Sequence, residues 1–455
     1  MTFKVPQLLT LVLFIPVMAF GAQTCPMATS STPGCVKPDG STTCIKADGT
    51  PYRCPASEGG LGTSSTGRST TGPAGAPTTE PMLSASSLSY VGAFRLPSGN
   101  YGCSDGTKCS FNYAGRGIAF NAANNSLFIF GHVYNGWLAE VNIPTPVMSS
   151  RLSALPTASM RQNFANVWQG TLGHLAAGGA YIDTGGMSGG VLVNGSKLVI
   201  SQYADYDAGL VAMLSHATVN ANWSSSVGFS GMKTVGSANA AGVGQTAGYM
   251  TPIPSEWQGL MGGQAMTGQA LISIITRSAM GPAAWVFNPD DVGVTNPVPA
   301  TQVVGYPDGH WTLGDYSAAN STIGGSDLVT AIVWPTGSRT VMFFGRHGDT
   351  YCYGTDTECG DPANGYKGAH GYPYHAHIWA YDANDLLAVK SGAKKPWQVV
   401  PAWGANIEGA MRGLIGPSAI VLGAAYDPTT KRIYVMVDHG DGPVPVVHVF
   451  SVTGT

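Results

Sequence analysis

The chain has 455 residues, a formal net charge of −3 and only 10% charged residues, with no basic cluster. A nucleic-acid partner is therefore not expected, because affinity there comes mainly from phosphate neutralisation. Its 62 glycines and 30 prolines weaken helix interiors and point to a turn-rich, all-β chain.

In chain order, the first feature is an export signal. Lys4 is the only early charge, Leu8–Phe20 is apolar, and Ala19-Phe20-Gly21 supplies small residues for cleavage after Gly21. No later stretch approaches the roughly 18 apolar residues of a membrane span. The expected location is extracellular or periplasmic.

Residues 22–55 hold Cys25, Cys35, Cys44 and Cys54 in two similar units, CVKPDGSTTC and CIKADGTPYRC, each around an Asp-Gly turn. With so few large apolar residues, disulfides must hold this segment together. Cys103/Cys109 and Cys352/Cys359 form two further local pairs, and no C-x2-C spacing suggests zinc. The connectivity of the first four is open. Residues 56–86 are a Gly/Ser/Thr/Pro linker, and residues 87–455 form the main domain.

That domain repeats. Gly117–Pro144 reads as three short strands, and similar pairs of runs recur at Gly190–Tyr203, Gly263–Thr276, Leu328–His347 and Gly423–His439. Second strands are expected to begin near Ser126, Lys197, Gln269, Arg339 and Arg432. Third strands are expected within Ala284–Val292 and Ile378–Leu386. Fourth strands precede the next repeat as SYVGAF, TQVVGY and WQVVPA. The pattern predicts a β-propeller of five four-stranded blades, closed by Ser89–Phe94 beside Val446–Val452, with a seven-bladed ring as the runner-up.

In such a blade, the loop after strand two and the loop entering strand one open on one face. His132, Tyr203, Arg277, Arg346, His347, Asp438 and His439 all fall at strand-two ends, so one face should collect them. His375 and His377, two apart on a strand, form a possible chelating pair for one divalent metal, Zn or Ca, with His370 or His347 as third ligand. Asp349 and Asp361 are possible oxygen donors.

His, Arg and Tyr with few carboxylates suit elimination from a uronate polymer, which needs a base, an acid and a cation on the carboxylate. His132, His347 or His439 is the candidate base, Tyr203 or Tyr374 the acid, and Arg277 or Arg346 the anion holder. Tyr372, Tyr374 and Trp137 are candidate substrate contacts. Hydrolysis would instead use paired carboxylates, for which Asp183, Asp205, Asp207 and Asp327 are available. The alternative is a non-catalytic glycan-binding or surface-assembly protein with Trp137, Trp285 and Trp379 as platforms. The expected partner is in either case an extracellular glycan.

Between SYVGAFRLP and PVVHVFSV, residues 88–455, the chain resembles secreted bacterial β-propeller-like proteins. The resemblance implies export and the fold; it assigns no activity and no site residue.

Overall fold

The computed structural model describes residues 43–45, 51–53 and 76–455, apart from 106, 183–184, 205–206, 208, 237–243, 270–279, 308–309, 311, 315–321, 352–357 and 363–369. The chain divides after Pro73 into two units. In the first, β1 (Thr43–Ile45) pairs antiparallel with β2 (Pro51–Arg53). The pairing of Cys25, Cys35, Cys44 and Cys54 lies outside the described residues.

The second unit is a five-bladed β-propeller. Its first strand in sequence, β3 (Leu88–Arg95), belongs to the last blade. Blade one is β4 (Ile118–Asn121), β5 (Ser126–Phe130), β6 (Leu138–Asn142) and β7 (Ser159–Ala165). Blade two is β8 (Gly186–Asn194), β9 (Lys197–Ala204) and β10 (His216–Asn220). Its fourth place is taken by an irregular edge, with Lys233 N–H donating to His216 O at 2.6 Å and Ser230 N–H to Thr218 O at 3.0 Å. Blade three is β11 (Met250–Pro252), β12 (Ala265–Thr267), β13 (Ala284–Phe287) and β14 (Ala300–Val304). Blade four is β15 (Leu328–Val333), β16 (Thr340–Gly348), β17 (Tyr374–Asp382) and β18 (Trp403–Asn406).

Blade five is β19 (Val421–Asp427), β20 (Arg432–Asp441), β21 (Val444–Val452) and the returning β3. The register runs from Val446 opposite Arg95 to Val452 opposite Leu88. The two ends of the ring thus complete one sheet, as the orphan strand at the start of the repeats predicts.

Each blade hides both faces against its neighbours, which is why the strands read as apolar runs rather than alternating ones. In β20, Ile433, Val435 and Val437 pack towards blade four, while Tyr434 and Met436 pack towards blade one. Similar clusters fill the other three gaps, built around Trp168 and Ile200, Val199 and Phe287, and Trp334 with Trp379.

Two expectations for individual strands are corrected. In the third repeat, Ala265–Thr267 is the second strand rather than the first, and the first is Met250–Pro252. Both are three residues long and fully apolar runs are indistinguishable by period at that length. Before the fifth repeat, WQVVPA is not a strand: Pro396–Gln398 is a 3-10 turn and the fourth strand starts at Trp403. Pro396 and Pro401 lack the N–H that a ladder needs.

The inner strands meet at the axis with almost no space. Gly117, Ile118, Gly190, Met250, Thr330 and Gly423 surround a void of only about 10 Å³. A Cβ on Gly190 would lie 2.4 Å from Gly248 O and 3.0 Å from Tyr249 Cα; one on Gly423 would lie 2.8 Å from Ile118 Cγ2. Register shifts in β8, β15 and β19 fall at Gly189, Thr330 and Leu422, next to these contacts. They turn backbone groups across the axis: Gly117 N–H donates to Leu422 O at 3.2 Å, and Thr330 Oγ1–H to Val421 O at 2.5 Å.

Gly190→Ala should therefore lower stability by about 3 kcal/mol, since its neighbours are backbone and cannot move aside. Gly259→Ala, in the helix Ser255–Met261 with open space around its missing Cβ, should gain up to about 1 kcal/mol. Denaturant melts of the two variants check both signs.

Candidate functional site

The turns from strand one to two emerge on one side of the ring; the loops from strand two to three and those entering strand one emerge on the other. On this second side, blades one, two and five enclose a pocket of about 520 Å³. His132, Tyr203, Asp438 and His439 line it together with Tyr113 and Arg116. Four of the residues expected on this face, His132, Tyr203, Asp438 and His439, are thus brought into one cavity.

The loop entering β4 and the loop leaving β5 are stitched to each other. Gly115 N–H donates to Gly131 O at 2.7 Å, Val133 N–H to Tyr113 O at 2.9 Å, and His132 N–H to Ser110 O at 3.2 Å. The Cys103–Cys109 disulfide closes the start of the entering loop, with Cα atoms 5.9 Å apart. Asn135 Nδ2 reaches Thr107 O inside that loop at 3.1 Å. A third anchor comes from blade five, where Pro443 O accepts from Tyr113 N–H at 2.7 Å.

Within the pocket the histidines differ. His439 Nδ1 contacts Asp438 Oδ2 at 2.7 Å, which places its proton there and leaves Nε2 as an acceptor. Burial raises the Asp438 pKa, against the opposing pull of His439. His132 Nδ1 accepts from Tyr134 N–H at 3.3 Å, so the neutral ring carries its proton on Nε2. Burial lowers the pKa of His132, with Asp105 opposing, so neutrality is favoured. Tyr113 stands between the two rings, 5.9 Å from His132 and 5.6 Å from His439. Tyr113 and His439 both hold positive φ, 52° and 53°, a costly backbone state for residues that are not glycine. Tyr113 and Tyr134 are the exposed aromatic rim.

Arg116, not foreseen as a site residue, is the pocket's cation. Its guanidinium lies 4.9 Å over the Tyr203 ring, and Nη1 is buried with no hydrogen-bond partner among the described residues. It stands in the loop entering strand one, which the blade geometry assigns to the functional face.

The remaining candidates gather in blade four. Arg346 is buried, its guanidinium 4.5 Å over the Tyr374 ring; Nη2 donates to Ser326 O at 3.2 Å and Nε has no partner among the described residues. Burial lowers its pKa, and Arg116 acts on it in the same sense. His347 Nδ1 meets Asp327 Oδ2 at 2.7 Å; Asp327 also accepts from Gly324 N–H and Gly348 N–H. Tyr372 packs edge-on to Tyr374, and Trp137 is partly buried in the blade-one core. Asp207 is occupied by the N–H groups of Val211 and Ala212. Arg277, Asp183 and Asp205 lie outside the described residues.

His375 and His377 do share a face of β17, but they turn to different partners. His375 is held between Glu408 Oε1 at 2.6 Å and Asp349 Oδ1 at 3.1 Å. His377 Nδ1 faces Asn406 Oδ1 at 2.5 Å, and its ring lies 4.6 Å from Trp379. Its Nε2 has no partner among the described residues and abuts the Gly404 backbone, where a Cβ would come within 2.7 Å. His370 packs beside Tyr351. Among the described residues, no group of three or more His, Cys, Asp or Glu is placed to hold a metal. Cys359 is in a disulfide, and Cys352 lies outside the described residues. Of the expected tryptophan platforms, Trp379 is buried, donating to Thr322 O at 2.5 Å, and Trp285 is partly buried.

Two neighbouring rings should titrate in opposite directions. Burial pushes His377 down to about 4, with Asn406 opposing; burial also disfavours charged His347, but Asp327 outweighs it and raises the pKa above 6.5. His377 is neutral when folded and protonates when unfolded, so its contribution is full above pH 6.5 and lost towards pH 4. The His347–Asp327 contribution is full below pH 6.5 and lost as pH rises through the raised value. On acidification, histidine side-chain NMR should show His377 titrating well after His347, and Asp327→Asn should lower the His347 midpoint.

No protein-family model matches the chain, and no curated protein does. Solved structures that align include the β-propeller domain of Cps50 (Swd1) from Myceliophteria thermophila, at 7% identity and TM-score 0.29, covering 74% of this chain and 83% of that one. A luciferin-regenerating enzyme aligns at 9% identity and TM-score 0.32, covering 75% and 92%. The PQQ-bound aldose sugar dehydrogenase of Streptomyces coelicolor aligns at 10% identity and TM-score 0.35, covering 80% and 97%. These scores assign no activity.

Proposed function

We propose that the protein acts outside the cytoplasm on an acidic polysaccharide, cleaving it by elimination beside a uronate residue at the channel-mouth pocket. The observation that carries this reading is the convergence of an unpaired Arg116 N–H with two differently protonated histidines in one cavity. Arg116 holds the carboxylate and stabilises the negative charge that develops on it. His439 Nε2 removes the proton alpha to that carboxylate, oriented by Asp438. The C–H electron pair becomes the new C=C bond as the C–O bond breaks, and the departing glycosidic oxygen, hydrogen-bonded by His132 Nε2–H, takes up the proton that His439 removed. Tyr113 and Tyr134 offer ring faces to the sugar at the rim.

Elimination is favoured over hydrolysis because Asp438 is the sole carboxylate among the described lining residues, and hydrolysis uses a pair. His347 and Tyr374 take no part in this scheme: each is buried against a fixed partner in blade four. The Cys103–Cys109 disulfide suits an oxidising compartment, and among the described residues no helix is long and apolar enough to cross a membrane.

Purified protein is to be screened against uronate polymers while following the ultraviolet absorbance of unsaturated uronate. Absorbance should rise on at least one acidic polymer. His439→Ala should lower kcat by about 100-fold or more, and Arg116→Gln should lower kcat/KM on the order of 100-fold. New reducing ends without new absorbance would identify hydrolysis instead. Binding without any bond cleavage would identify the non-catalytic glycan-binding reading.

A further inference from the structure

A second cleft, of about 850 Å³, lies between blades one and two. Asn121, Asn124 and Gly195 place one end of it where the strand-one-to-two turns emerge, and it runs along the outer edge of blade one to Phe164 and Gly102. We infer that this cleft is a binding site for an uncharged sugar segment of a polysaccharide, separate from the site of cleavage.

Its floor is a fully buried carboxylate. Glu140 Oε1 accepts from Asn121 Nδ2 at 2.9 Å, Asn124 Nδ2 at 3.0 Å and the Ser126 hydroxyl, and Oε2 accepts from Gln162 Nε2 at 2.5 Å. Burial alone would raise the Glu140 pKa, but these four donors outweigh it and keep the group ionised. The network fixes the orientation of each amide before any ligand arrives, which limits the ordering cost of binding.

The network also spreads to the wall. Arg161 donates to Asn124 Oδ1 at 2.9 Å and sits 3.8 Å from Glu140. Gln162 bridges to the other blade, Nε2 donating to Ala221 O at 2.9 Å and Oε1 accepting from Trp223 N–H at 3.3 Å. Trp223, on the blade-two wall, is held by its indole N–H on Asn163 O at 3.1 Å and by a tilted ring contact with Phe128. Its ring is a fixed apolar plate in an otherwise amide-lined cleft.

Charge selects the ligand. Glu140 and Arg161 are the only charged residues among those described lining the cleft, and they offset each other. No cation is left to hold a carboxylate, phosphate or sulfate, in contrast to Arg116 at the channel mouth. An aromatic plate with amide donors and acceptors and no net charge matches the apolar face and ring hydroxyls of a neutral hexose. The volume has room for more than one sugar ring. This inference does not depend on cleavage at the channel mouth: the cleft shares no lining residue with that pocket.

The test is calorimetric titration of the full chain with neutral gluco-, manno-, xylo-, galacto- and chito-oligosaccharides, at low and high salt. At least one series should bind with little salt dependence. Trp223→Ala should weaken it by about tenfold or more. Ala123→Trp fills the cleft from an exposed turn without touching the core, and should weaken it as much. His439→Ala should leave it unchanged. The inference is overturned if no neutral series binds, if binding survives Ala123→Trp, or if His439→Ala abolishes it. It also fails if the ligand that Ala123→Trp displaces proves to be acidic and salt-sensitive.

Discussion

Five inner strands meeting at one axis leave almost no space between them, and much of the domain's design follows from that contact. At Gly117, Gly190 and Gly423 the neighbouring strand stands where a Cβ would go. Such close approach replaces side-chain packing with backbone contact, which only glycine permits in a strand without a bulge or gap. The bulges at Gly189, Thr330 and Leu422 turn the freed carbonyls towards the adjacent blade, so groups that would be unsatisfied at the axis find partners there. The ring is therefore closed twice: at the axis by these contacts, and at the circumference by β3 on β21.

A sealed axis pushes chemistry to the loops. The void left at the narrowest point is too small for any ligand, so a substrate can engage the ring only at its mouth or between blades. At the mouth, rigid strand ends present Tyr203 and Asp438, and stitched loops present His132, Tyr113 and Arg116. The loop that carries Tyr113 and Arg116 is tied to β5, to the disulfide loop and to blade five. Its side chains thus inherit the precision of three elements instead of the mobility of one.

The sequence was most legible where geometry repeats. Strand-two starts at Ser126, Lys197 and Arg432 coincide with observed strand starts, and the orphan strand Ser89–Phe94 closes the last blade. The third blade departs from the expected strand order, because its first two strands are three residues long and carry no period to count. Site residues were legible as a class: strand-two ends do supply His132, Tyr203 and His439 to one pocket. Arg116 carries no such signal: it stands in the long irregular loop entering strand one, which opens on the same face but has no repeat to align. The His375/His377 spacing correctly implies a shared face, but sequence could not show that Glu408, Asp349 and Asn406 occupy their nitrogens. Those three come from other segments of the fold, and long-range partners leave no local mark.

Buried cations give the last link between fold and function. Arg346 sits in the interior with one N–H unpaired among the described residues, and the buried carboxylate of Asp327, which acts on it, is already engaged by His347 and two backbone amides. A guanidinium left so costs on the order of several kcal/mol relative to an apolar residue, and the Tyr374 ring returns only about 1–2 of that. Arg116 adds a second, half-buried cation whose charge acts unfavourably on the first. Neither placement is what packing alone would select. Each of these two cations keeps one buried N–H without a partner among the described residues, and Arg116 is the one that lines the pocket. The cleft between blades one and two has the reverse arrangement, with Glu140 and Arg161 offsetting each other and every carboxylate oxygen occupied. A polymer carrying both uronate and neutral sugars would find a complementary environment for each on one rigid ring.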